Sequence, residues 1–340
     1  MKSKKAFEIQ FNWIFVLIAG AAILAFFGAA IVKQKNAATA STNIEILNEM
    51  ERIISSASTT TDTKVPIDTP ETAIMVSCNE FSIGAISKQH QNMILFSPSV
   101  IKGSKIMTQT LPFREPYKSA NMLYATSTQA RYIIIGNEDT AKEINKTMPA
   151  ELSKDFFDSY DASKIKNTNN YKVRFIVVNS NLPLEAPSSL SRMEDADLTA
   201  LKITGDLEKG ELDFYTKKGS SFALLGSTSY IGKSSLIGSI YTDSIELYKC
   251  NMRNAFSRHA LVTKVHKGKL TELSDSYPRQ ECLQIYTNAM PYLNSIEATS
   301  EYLSMSPNFG IVDMAKLKEA AQSILIQNKE SQKFSCPLIY

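Results

Sequence analysis

The chain carries almost no net charge. Its 37 lysines and arginines stand against 34 aspartates and glutamates, leaving +3. A nucleic-acid binder usually concentrates positive charge on one face, so no nucleic-acid partner is indicated. None of the four cysteines sits in a CxxC pair, so neither a zinc ribbon nor a thioredoxin-like motif is indicated. No internal repeat is evident. Ser99-Val100-Ile101-Lys102 matches the serine nucleophile pattern SxxK, but the SDN and KTG partners of such enzymes are missing. Gly232-Lys233-Ser234 follows a strand pattern and precedes a helix pattern, as in a phosphate-binding loop. That loop needs a glycine at position 227, which holds serine, and Gly226 lies one residue too far away. His259 and His266, seven apart on one predicted helix, share a face, yet two imidazoles without a third ligand make no metal site. His259 reads as a core histidine. His266 reads as a last-turn cation that suits the helix dipole. The carboxylates at Asp155, Asp158 and Asp161, and at Glu194, Asp195 and Asp197, read as a solvated surface. No catalytic residue, cofactor or metal is assigned.

What is present is one long apolar run. Trp13 to Val32 contains no charged residue. As a helix its twenty residues span roughly 30 Å, the thickness of a bilayer's hydrocarbon core. Ala38-Thr39-Ala40 has the small-x-small look of a signal cleavage site. The run is longer than an h-region of about 7–15 residues, and the polar KQKNA separates it from that site. A retained transmembrane anchor is therefore expected, with the lipid bilayer as partner. Lys2, Lys4 and Lys5 precede it and Lys33 and Lys35 follow, a bias that favours a cytoplasmic N-terminus and an extracytoplasmic body. An even set of cysteines, Cys78, Cys250, Cys282 and Cys336, can pair in an oxidising compartment. Four buried free thiols are the reduced alternative.

With 44% hydrophobic and 21% charged residues the remainder is globular in composition. The expected order is a cytoplasmic N-terminus (1–12), the anchor (13–32), and a juxtamembrane helix with a Ser/Thr-rich linker (33–70). A β-rich and α/β domain (71–235) and a helical C-terminal subdomain (236–340) follow. Thr42-Asn43-Ile44-Glu45 reads as a capping box, starting an amphipathic helix through Ile46, Met50, Ile53 and Ile54 that could self-associate. Ser55–Thr63 reads as a flexible linker ending near Pro66. Strands are predicted at 73–78, 81–87, 92–96 and 105–111. Arg131–Gly136 and Lys172–Asn179 are continuous apolar runs, expected as parallel central neighbours buried on both faces. A helical pattern from Thr140 to about Tyr160, interrupted at Pro149, would cross between them. A short helix is read at Ser188 to about Ala196, then strands at 198–204, 212–215 and 221–226. The fold class is α/β (α+β): a transmembrane helix, a β-rich segment leading into a βαβ-type sheet, and a helical end.

Asp243-Ser244-Ile245-Glu246 reads as a second capping box, opening a helix that carries Ile245, Tyr248, Met252, Ala255, Phe256, Val262 and Val265 and stops at Gly268. Pro278 opens another, with Cys282, Ile285, Ala289, Leu293 and Ile296 inward, and Pro291 must kink or end it. Asp313 caps a third, carrying Met314, Leu317, Ala321, Ile324 and Leu325. If these helices run up, down, up, the eighteen residues from Cys250 to Gly268 carry the chain roughly 27 Å. Cys250 and Cys282 then lie at opposite ends, beyond the roughly 7 Å between α-carbons that a disulfide spans. Cys336 falls at the Cys282 end. Cys282–Cys336 and Cys78–Cys250 are the expected pairs. Asn145-Lys146-Thr147 is a glycosylation sequon.

FNWIFVLIAGA (11–21), FSPSVIKG (96–103), LYKCNMRNAFSRHALV (247–262) and FSCPLIY (334–340) resemble landmarks of single-pass membrane proteins of small archaea, across nearly the whole chain. The resemblance implies an anchor, an exported domain, and a recurrent frame containing Cys250 and Cys336. It brings no activity with it. The apolar helix, the amphipathic continuation and the Lys4-Lys5-Ala6 site are also similar to type IV pilin-like subunits. Those carry glutamate at the fifth mature position, where this chain has Phe11 and places Glu8 second. The expected role is a membrane-anchored extracytoplasmic binding or scaffold protein. The alternatives are a cell-envelope enzyme on the α/β domain and a pilin-like subunit.

Overall fold

The computed structural model describes residues 4–90, 93–181, 185–277 and 279–340. It is a mixed α/β protein with two sheets and C-terminal helices. The chain divides into two compact units, Met1–Glu49 and Met50–Tyr340.

Helix α1 (Lys4–Thr59) is continuous. The capping box at Thr42 is therefore not a helix start. The Thr42 hydroxyl donates back to the Ala38 carbonyl at 3.1 Å, a mid-helix bond. Ser55–Thr59, expected as linker, is helical as well. Ala37, Ala38 and Ala40 before Thr42, and Glu45, Leu47, Glu49, Met50, Glu51 and Arg52 after it, favour helix and override the local start and stop signals. Most side chains of the expected anchor, Trp13–Val32, lie outside the described residues. Among the described residues no helix is long and apolar enough to cross a membrane.

The first sheet contains β1 (Lys64–Val76), β2 (Glu80–Ile83), β3 (Ile86–Gln89), β4 (Leu95–Phe96), β5 (Val100–Arg114) and β6 (Lys118–Ser127), in the order β3-β2-β1-β5-β6-β4. The run expected as one strand at 81–87 folds back at Gly84 into the β2–β3 hairpin. Part of the expected 92–96 strand, Asn92, lies outside the described residues. Strand β6 has no counterpart among the sequence expectations. Its KSANMLYATS lacks alternation because nearly every residue is buried, the pattern of a strand covered on both faces.

The second sheet has the order β12-β11-β10-β9-β7-β8, from β7 (Ala130–Ile135), β8 (Ser153–Phe157), β9 (Lys172–Val178), β10 (Leu198–Gly205), β11 (Lys209–Lys218) and β12 (Ser221–Ile231). The two apolar runs are parallel, adjacent and central, with Ile133 opposite Phe175. Helix α2 (Asp139–Thr147) follows β7, but the segment to Tyr160 is not helical throughout. Ser153–Phe157 forms a parallel edge strand beside β7. Pro149 ends the helix, and Phe156 and Phe157 suit a strand. Short 3-10 turns at Ser188–Leu190 and Asp195–Asp197 replace the expected helix. One face of the sheet, with Ile134, Ile176 and Val178, packs in the main core with Ala141 and Ile144 of α2. The other face, with Ile133, Phe175 and Val177, is covered by Ile165 and Leu190.

Helices α3 (Gly232–Tyr241), α4 (Ile245–Ser276), α5 (Gln280–Met305) and α6 (Ile311–Lys333) complete the chain. Gly238 brings α3 against the Phe96 ring, where an added β-carbon would meet ring atoms at 2.8 Å. Helix α4 passes through Gly268, because Leu270 beyond it is fully buried and Lys267 pairs with Glu297 of α5. Tertiary contact outweighs the roughly 1 kcal/mol that glycine costs a helix. Helix α5 continues through Pro291, held by buried Leu293 and Ile296. The expected opener of α5, Pro278, lies outside the described residues. Asp313 caps α6 from its third position, accepting from the Gly310 amide at 3.4 Å. The C-terminal tail docks through the Ile339 amide on Asn328 and the Tyr286 hydroxyl on the Pro337 carbonyl.

Candidate functional site

Cys78 is paired with Cys250 and Cys282 with Cys336, with α-carbons 5.9 and 5.7 Å apart. The second pair is buried, Cys282 being 2% and Cys336 6% exposed. The first is partly exposed and stands in the wall of an open cleft of about 370 Å³. Ser77, Ser99, Glu246 and Arg253 line the same cleft.

Ser99 connects this cleft to a buried polar hub. Asp243, between α3 and α4, was expected to cap α4. Ser244 does so instead, accepting from the Leu247 amide. The Asp243 carboxylate turns inward. Its Oδ1 accepts from the Ser99 amide at 2.8 Å and the Ser99 hydroxyl at 2.7 Å, and its Oδ2 accepts from Lys172 Nζ at 2.6 Å. Burial alone would raise the Asp243 carboxyl, but Lys172 and Ser99 hold it below the usual carboxylate range. Lys172 also donates to the Ala196 carbonyl. Two strand positions on, Arg174 is wholly buried, donating to Thr199 Oγ1 and the Ser239 carbonyl and lying 5.5 Å over the Phe214 ring. Burial lowers its pKa to about 10, which leaves it charged at neutral pH.

The space among Arg131, Lys172, Arg174 and Asp243 is too small for a water molecule. The hub also lies at the amino ends of β7 and β9, whereas ligands of open α/β sheets bind beyond the carboxyl ends. Asp243 therefore acts as a staple, tying the β4–β5 turn, β9 and the α3–α4 link. An aspartate held ionised by a lysine is a poor base, so Ser99 is not activated as a nucleophile. Lys102 lies 4.0 Å from Asp197 and over the Tyr171 ring, away from the Ser99 hydroxyl's bond to Asp243.

Lys233 lines a second cleft, of about 230 Å³, with Lys64, Gln109, Lys146 and Thr147. It pairs with Glu143 at 2.6 Å and holds that carboxyl below its usual range. The start of α3, where a phosphate would sit, is met instead by Glu115. A β-carbon added at Gly232 would lie 2.7 Å from Glu115 Oε1. An internal carboxylate therefore crowds the first residue of α3, whose Gly232 amide donates to the Glu208 carbonyl.

Glu115 is 3% exposed, and Lys318 of α6 donates to both its oxygens at 3.2 and 3.0 Å. Burial outweighs Lys318 and raises the Glu115 carboxyl to about 7. Lys318, the more exposed partner, has Glu208 as a second counterion. The Glu115 carbonyl receives His259 Nε2 at 2.8 Å, and His259 Nδ1 bonds Ser300 at 2.8 Å. Burial lowers His259 to about 4, as suits a core histidine. His266 is not in a last turn, since α4 runs on to Ser276. It packs on Tyr117 with ring centroids 4.3 Å apart, and burial lowers its pKa. Tyr117 also stacks on His259, so an aromatic ring stands against both histidines.

Among the described residues no group of three or more His, Cys, Asp or Glu could hold a metal ion. Asp155 pairs with Arg131 at 2.6 Å, and Asp161 accepts from Ser163. The sequon lies on α2, where the Thr147 hydroxyl donates to the Glu143 carbonyl at 2.7 Å. The hub and the Glu115–Lys318 pair were missed in the sequence. The available signal was Lys172 and Arg174 inside the apolar run KVRFIVV, because charges placed among buried residues need partners. Comparison with known proteins finds no matching family model, curated protein or solved structure.

Proposed function

We propose that this chain is a membrane-anchored binding or scaffold protein, with a cytoplasmic N-terminus and a disulfide-bonded body outside the cytoplasm. The observation that carries the reading is the uncharged stretch Trp13–Val32 in the sequence. Two disulfides suit an oxidising compartment. Two buried pairs neutralise each other, Lys172 with Asp243 and Lys318 with Glu115, and buried Arg174 is held by neutral partners. That economy suits a rigid platform better than a reaction centre, and it gives the envelope-enzyme alternative no constellation of its own. Cell fractionation tests the anchor. The full chain should pellet with membranes and resist alkaline carbonate, and a variant lacking 13–32 should not. A full chain extracted by carbonate would end this reading. Detergent-solubilised protein should then co-purify with a specific partner or a second copy.

One observation favours a pilin-like subunit as the second reading. Helix α1 runs unbroken from Lys4 to Thr59 and leads directly into a β-rich body. Intact mass decides between the two. Loss of residues 1–6 in the mature protein supports the filament subunit, and a retained N-terminus supports the anchor alone.

A further inference from the structure

The two disulfides sit in opposite surroundings. Cys282–Cys336 is closed off from solvent. Cys78–Cys250 is partly exposed in a cleft roomy enough, at about 370 Å³, for a small thiol to approach. Thiol–disulfide exchange requires access of the attacking thiolate to one sulfur and stabilisation of the thiolate that leaves. Cys250 lies in the second turn of α4, whose N-cap is Ser244. Arg253, one turn further along the same face, lines the same cleft and forms no ion pair among the described residues. A guanidinium beside a cysteine favours its thiolate. Glu246 opposes this, but its carboxylate is 77% exposed and lies 4.0 Å from Lys249. The hydroxyls of Ser77 and Ser99, which border the same cleft, already donate to the Glu80 carbonyl and to Asp243 Oδ1, so Arg253 is the donor left to the sulfur.

From this arrangement we propose that Cys78–Cys250 is a thiol–disulfide exchange site for a dithiol, with Cys250 as the leaving sulfur and Arg253 as the group that holds it. A thiolate of the dithiol attacks Cys78 Sγ. The disulfide bond breaks and its electron pair leaves on Cys250 Sγ. The second thiolate of the dithiol then attacks its own sulfur in the mixed disulfide and releases Cys78. The dithiol is oxidised to a disulfide, the cysteine pair is reduced to two thiols, and the protons lost by the dithiol balance those gained by the cysteines. The body keeps non-covalent ties at the opened bridge. The Val76 amide still donates to the Ser99 carbonyl, and Phe81 and Ile83 of the β2–β3 hairpin remain buried.

The test uses the full chain in detergent micelles, graded concentrations of dithiothreitol, rapid alkylation and peptide mass mapping. Cys78 and Cys250 should become alkylated about tenfold or more before Cys282 and Cys336, with the far-ultraviolet circular dichroism unchanged. Arg253→Gln should slow the opening by about threefold or more, and Arg253→Lys should restore most of the rate. If both disulfides open together, if Cys282–Cys336 opens first, or if opening coincides with loss of helical signal, the exchange site is refuted. An unchanged rate in Arg253→Gln overturns the role of Arg253.

Discussion

Two buried residues, Glu115 and His259, joined through the Glu115 backbone carbonyl, set opposing dependences of stability on pH. His259 titrates near 4 in the folded protein against 6.5 ordinarily. Between those values the unfolded chain binds more protons, so stability falls as pH falls through 6.5 toward 4. Glu115 titrates near 7 against 4.5 ordinarily. Between those values the folded protein binds more protons, so stability rises as pH falls from 7 toward 4.5. At 1.36 kcal/mol per pH unit, each contributes about 2 kcal/mol between pH 7 and 4.5, with opposite sign. These two groups of the native protein should therefore nearly cancel over that range. Urea unfolding of the full chain in detergent, with Glu115→Gln and His259→Gln for comparison, separates them. Relative to the native protein, Glu115→Gln should lose about 2 kcal/mol on acidification to pH 4.5, because only the histidine remains. His259→Gln should gain about as much, because only the glutamate remains. Parallel pH profiles for all three proteins would refute both the buried titrations and their opposition. Because the His259 ring bonds the Glu115 carbonyl, the two substitutions should not be additive.

Other perturbations report on the framework. Lys172→Met leaves Asp243 with only Ser99 and should cost about 3–5 kcal/mol in denaturant unfolding at neutral pH; Lys172→Met with Asp243→Leu should recover part of that loss. Gly238→Ala drives a methyl group into the Phe96 ring and should cost about 1–3 kcal/mol, read as a lower melting temperature. Replacing Cys282 and Cys336 together by serine opens a link between positions 54 residues apart and should cost about 2–5 kcal/mol by the same measurement.

The sequence was most legible where burial follows a simple period. RYIII and KVRFIVV declared themselves as paired central strands because both faces are covered and every position is apolar or internally paired. Helix–helix geometry separated Cys250 from Cys282, even though α4 overran its expected stop at Gly268, since the longer helix only widens that separation. Local signals failed where neighbours supplied larger energies. Asp243 resembled a cap, yet a buried lysine across the fold recruited its carboxylate. Thr42 resembled a helix start, yet the helix passes through it. The site was least legible. The contact of Glu115 with α3 and Lys318 joins residues more than a hundred positions apart, and the cleft at Cys78–Cys250 has no local motif.

We propose an anchor with the body outside the cytoplasm. Labelling of intact cells tests it most directly: after reduction and denaturation in place, a membrane-impermeant thiol reagent is compared with a permeant one. The impermeant reagent should label Cys78, Cys250, Cys282 and Cys336 as fully as the permeant one. Labelling by the permeant reagent alone would place the body in the cytoplasm and contradict the claim.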